Sequence, residues 1–117
     1  MTAREAISLA IERFPKLLDR IDDPEDLLAS PHMVYSLLAE ELLTNKTNQA
    51  LIEATSQFIN ELANSVDDLL EELLVIDVLE GLAQDPHLAK TMSMRINPAA
   101  AKFLQRVEVE YFGRKLR

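Results

Sequence analysis

Apolar residues recur along the chain at spacings of three and four, the signature of helices that bury one face. The first such run is Ala6, Ile7, Leu9, Ala10 and Ile11. Thr2 stands ahead of it as an N-cap, and Glu5 is placed to reach back in a capping box. Phe14-Pro15 should stop or kink this helix, and Lys16 to Ile21 adds one or two further turns. Asp22-Asp23-Pro24-Glu25 then sets a capping aspartate before a first-turn proline, opening a short helix through Leu27 and Leu28.

Ser30-Pro31 repeats that signal ahead of Val34, Leu37, Leu38, Leu42 and Leu43, with an end near Thr44-Asn45. Thr47 or Asn48 starts the next helix, which should bury Leu51, Ile52, Ala54, Phe58, Ile59 and Leu62 and end at Ala63-Asn64. Ser65, with Asp68 in the box position, caps another over roughly 66 to 83. At about 100° per residue its polar face changes side halfway: Asp67, Asp68, Glu71 and Glu72 fall in one sector, and Asp77, Glu80 and Gln84 in another. Such a helix should run through the middle of the fold, exposed on different sides at its two ends. Asp85-Pro86 starts a short helix or turn through Leu88 to Met92. Asn97-Pro98 opens the last helix, with Ala100, Phe103, Leu104 and Val107 as its buried stripe and Gly113 as its stop.

The expected fold is all-α, a single-domain antiparallel helical bundle or short stack of helical hairpins with about five to six helices, residues 113–117 trailing as a frayed basic tail. The bulk numbers agree. A chain of 117 residues, 48% hydrophobic and 27% charged, has a core to build and the length of one domain. Two glycines leave little material for hairpin turns.

Charge narrows the function. The formal net charge is -8, which disfavours nucleic acid as a partner, because bases supply most of that affinity. The balance is uneven: residues 1–85 hold 18 acids and 5 bases, and residues 86–117 hold 2 acids and 7 bases. The absence of cysteine excludes a disulfide framework, a thiolate metal site and a cysteine nucleophile, and fits a reducing cytoplasmic compartment. Leu69 to Leu82 is interrupted by four acids and is expected to be a core helix, with no role at a membrane. The amino terminus does not read as a signal peptide.

Candidate chemistry is sparse. His32 and His87 lack ligand spacing and are read as exposed residues near helix starts, so no metal and no cofactor is expected. Adjacent carboxylates such as Glu40-Glu41 diverge on a helix and share no site. No glycine-rich phosphate loop or nucleophile elbow is present, and no enzyme is expected. Asp77, set among Leu74, Val75, Ile76, Val78 and Leu79, needs a partner if buried. The expected one is an arginine, Arg95 or Arg106, with a ligand-gripping role as the alternative.

Phe58-Ile59-Asn60-Glu61-Leu62, then Leu69 through Leu82 with its Leu-Glu-Gly-Leu ending, then Asn97-Pro98 and Phe103-Leu104, resemble a family of small helical bacterial proteins of unknown function. In size, acidity and helical make-up the chain also resembles the immunity proteins of contact-dependent inhibition and related polymorphic toxin systems. That second likeness implies a cytoplasmic protein that binds a cognate toxin domain, often a nuclease, and occludes its basic active site. The acidic positions expected to meet a basic protein surface are Asp67, Asp68, Glu71 and Glu72, with Asp22, Asp23, Glu25 and Asp26 as the second candidate group. The expected protein is a monomer or weak homodimer. The alternative is a scaffold module that self-associates or docks a partner helix.

Overall fold

The computed structural model describes residues 1–21 and 30–113. Seven α-helices occur among them, rather than five or six, and no strand. They are α1 (Ala3–Arg13), α2 (Pro31–Thr44), α3 (Gln49–Asn64), α4 (Asp68–Glu72), α5 (Glu80–Ala83), α6 (Pro86–Ser93) and α7 (Pro98–Phe112). The short helix expected through Leu27 and Leu28, and most of the basic tail, lie outside the described residues.

Local chemistry sets the boundaries. Thr2 and Glu5 form the capping box of α1. Pro15 halts that helix, and the chain continues as a 3₁₀ segment, Pro15–Arg20. Ser30, Asn48, Asp85 and Asn97 each accept a backbone N–H in the first turn of α2, α3, α6 and α7. Gly113 closes α7 in the left-handed region at φ 64°, where a side chain would be strained. One cap differs from expectation. Asp67, not Ser65, accepts from the N–H of Leu70; the Ser65 backbone N–H ends α3, and its hydroxyl accepts from the N–H of Asp67 at 3.1 Å.

The segment from Asp68 to Ala83 is one continuous helical rod of unusual winding. Between α4 and α5 the stretch Leu73–Leu79 is a π-helix, and the N–H of Glu80 bonds the carbonyl of Val75 five residues back. Leu73, Leu74, Val75, Val78 and Leu79 are all buried, and the rod packs against α1, α2, α3, α6 and α7. It is the axis of the molecule. A π turn takes in roughly one residue more than an α turn, so a sector count at 100° per residue fails across it. Exposure on the rod falls at Asp68, Glu72, Ile76 and Gln84, with Glu80 half-buried. That regular interval of four is what a slower winding produces, and it accounts for the polar face that drifts when an α pitch is assumed.

Around the rod, Val34, Leu38, Leu42, Ile52, Phe58, Ile59, Leu62, Leu104 and Val107 complete a contiguous core. Ala54, expected inside, is exposed. Phe58 sits edge-on to Phe14 with ring centroids 5.4 Å apart, and 6.0 Å from Tyr35. The Tyr35 hydroxyl donates to the carbonyl of Ala6 at 2.8 Å, tying α2 to α1, and burial pushes its phenol above the ordinary tyrosine range. Opposite Gly81 the α2 backbone comes so close that a Cβ built there would lie 2.7 Å from the Cβ of Ala39.

Candidate functional site

The π stretch turns Asp77 towards α2. Its side chain is only 9% exposed, yet no arginine reaches it. Ser36 donates to Oδ1 at 2.9 Å, and His32 Nδ1 lies 2.5 Å from Oδ2. The expected arginines are engaged elsewhere: Arg95 bonds Gln49 at 3.0 Å and faces Glu53 at 3.5 Å, while the Arg106 guanidinium lies 5.2 Å from the Phe103 ring centroid. The expectation of an arginine partner is therefore corrected, as is the reading of His32 as a merely exposed residue. His32 and Ser36 are four apart on α2 and so share a face. The signal was present in the sequence as two polar residues one turn apart and one aspartate lacking a partner, but only helix packing joins them.

The other imidazole nitrogen, Nε2, lies 3.3 Å from Glu72. His32 thus stands between two carboxylates, and only the protonated ring can donate to both. A serine, a histidine and an aspartate converge here, but in the wrong order for nucleophilic catalysis. The Ser36 hydroxyl donates its hydrogen bond to Asp77 and not to the imidazole, so the histidine is not set as a base on the serine. What the cluster does in this geometry is bolt α2 to the rod with polar groups mutually satisfied.

The four acids expected on the helical face meet different fates. Asp67 is committed inward: it caps α4 and lies 2.5 Å from the amino-terminal ammonium of Met1. That ammonium, followed by the N–H of Leu70, holds its carboxyl below the ordinary aspartate range, and Asp67 in turn raises the amino terminus. Glu72 leans on His32. Asp68 is exposed and Glu71 half-buried, and among the described residues neither joins a salt bridge. Asp22, Asp23, Glu25 and Asp26 lie outside the described residues.

Elsewhere Arg13 pairs with Glu61, Arg20 with Glu41 and, at 3.9 Å, with Glu40, and Lys46 with Asp85 at 2.6 Å. Lys46, followed by the N–H of Leu88, depresses the Asp85 carboxyl. Glu80, like Asp68, has no salt bridge among the described residues. It lines a cleft of about 270 Å³ between α2 and the rod with Ser36, Glu40, Leu43, Ile76 and Gln84. Ile76 is 44% exposed there. The surface so assembled is an acidic strip with an apolar centre.

Among the described residues no three histidines, aspartates or glutamates are grouped to hold a metal ion. No helix among them is long and apolar enough to cross a membrane. The chain matches no protein-family model, no curated protein and no solved structure.

Proposed function

We propose that this chain is a non-catalytic binding protein of the immunity type, which neutralises a toxin domain by covering a basic surface with its acidic strip. One observation carries the reading: Asp68, Glu71 and Glu80 stand along the rod outside every salt bridge of the described residues, although bases are available to the fold. Carboxylates left in that state keep an uncompensated charge that attracts a cationic surface from a distance. Ile76, exposed between Glu72 and Glu80, supplies apolar area at the centre of the patch, where interface energy concentrates.

The helical rigidity of the strip supports the same reading, because a surface already ordered loses little entropy on binding. The partner is a basic toxin domain, tested first as the product of a gene adjoining this one. Titration calorimetry should show affinity that falls steeply between about 50 and about 300 mM NaCl. Asp68→Lys, Glu71→Lys and Glu80→Lys together should weaken it by tenfold or more, roughly 0.5 kcal/mol or more for each reversed charge. Binding indifferent to both salt and charge reversal, with a stable dimer in sedimentation, would turn the assignment towards a self-associating scaffold.

A further inference from the structure

Each ring nitrogen of His32 faces a carboxylate, and the two carboxylates differ in their surroundings. Asp77, 9% exposed, lies 2.5 Å from Nδ1 and also accepts from Ser36. Glu72, 51% exposed, lies 3.3 Å from Nε2 and approaches from earlier on the rod. The other charged groups along this cleft are Glu80 on the rod and Glu40 on α2, the latter 3.9 Å from Arg20. Among the described residues no lysine or arginine forms a salt bridge with Asp77 or Glu72.

We propose that His32 is a proton-operated latch on the acidic strip, holding Glu72 when the ring is protonated and releasing it when the ring is neutral. An imidazolium donates from both nitrogens and so reaches Asp77 and Glu72 together; a neutral ring has one proton to donate. That proton stays with Asp77. A nearly buried carboxylate that lost a donor would be left with a desolvation penalty, whereas Glu72 exchanges the ring for water. The bare Nε2 then faces a carboxylate oxygen, one acceptor against another, and Glu72 turns outward. The Glu72 contact therefore holds on the acid side of the range in which histidine changes charge, about pH 5 to 8, and is lost on the alkaline side. Release removes a positive charge from the edge of the strip and adds an unpaired carboxylate four residues from Ile76. A cationic partner then meets a stronger field at higher pH. As regulation of partner binding, the latch rests on the strip being a binding surface; as a movement of Glu72 it does not, and it is measured in the free chain.

The test follows the full chain, labelled with ¹³C and ¹⁵N, by NMR from about pH 5 to about pH 9. The His32 ring and the Glu72 side-chain carboxyl carbon should change shift with a common midpoint, while the Glu71 carboxyl carbon shows no inflection there. His32→Gln, whose amide can still donate to Asp77, should abolish the Glu72 inflection. A His32 ring that does not titrate in this range would overturn the latch. So would a Glu72 signal that stays flat while the ring titrates, that Glu71 mirrors, or that keeps its inflection in His32→Gln. The wild-type signals decide by themselves, even where the variant folds poorly. None of those results would touch the strip as a binding surface, and a strip that bound no basic protein would remove the regulatory role while leaving these signals as they are.

Discussion

Gly81 shows how one residue can serve two opposed requirements. In a helix interior glycine is disfavoured by about 1 kcal/mol relative to alanine. Here the Ala39 Cβ occupies the space that an added methyl would need, 2.7 Å away. Neither side is the free end of a flexible chain, so relief requires α2 and α5 to part. Overpacking of this kind costs about 1–3 kcal/mol, which exceeds the propensity gain. Gly81→Ala should therefore destabilise the protein by roughly 1–2 kcal/mol in urea unfolding, and Ala39→Gly should restore part of the loss. A Gly81→Ala protein more stable than wild type would show that the two helices are free to separate. Asp77 makes a related point about legibility. That it needed a partner was readable from its apolar neighbours, but the partner was not, because Ser36 and His32 are 41 and 45 residues away.

At the scale of the element, the caps were legible and the rod's winding was not. Thr2, Ser30, Asn48, Asp85 and Asn97 act where a capping side chain before a helical run places them. The π stretch has no comparable mark: Leu73–Leu79 is a run of apolar residues around one aspartate, and its winding answers to the helices around it. The capping acids make stability depend on pH. The carboxyls of Asp67 and Asp85 are held below their ordinary values, so they contribute stability above about pH 4 that is lost as pH falls through their lowered values. The amino terminus is raised by Asp67, so its contribution is present below about pH 8 and fades as pH rises through that raised value. Thermal unfolding should thus weaken at both ends of the scale. Asp67→Asn should flatten both limbs, and acetylation of the amino terminus the alkaline limb alone; an alkaline limb unaltered by acetylation would remove the Met1–Asp67 pair from the account.

Over the whole molecule, charge and packing are largely separable. The core is built from apolar side chains of the rod and its neighbours, while Asp68, Glu71 and Glu80 add to a net charge of -8 without joining a salt bridge among the described residues. Reversing those three to lysine moves the net charge by +6, to -2, and relieves self-repulsion. The triple variant should unfold at a temperature equal to or above that of the wild type, measured by circular dichroism at low salt, so that any loss of partner affinity is not a loss of fold. A markedly lower midpoint would place these acids within the stabilising contacts and take them out of the binding surface.

Local pattern was enough to establish that the chain is helical, where most helices begin, and most of the apolar residues that enter the core, with Ala54 an exception, because caps and three-to-four periodicity act between residues one turn apart. The sequence also established the acidic excess. Tertiary structure alone decided the π winding of the rod, the meeting of His32 and Ser36 with Asp77, and which carboxylates are spent on internal contacts. Those outcomes depend on how helices distant in sequence pack against one another, and no local pattern encodes the crossing at which two such surfaces come together.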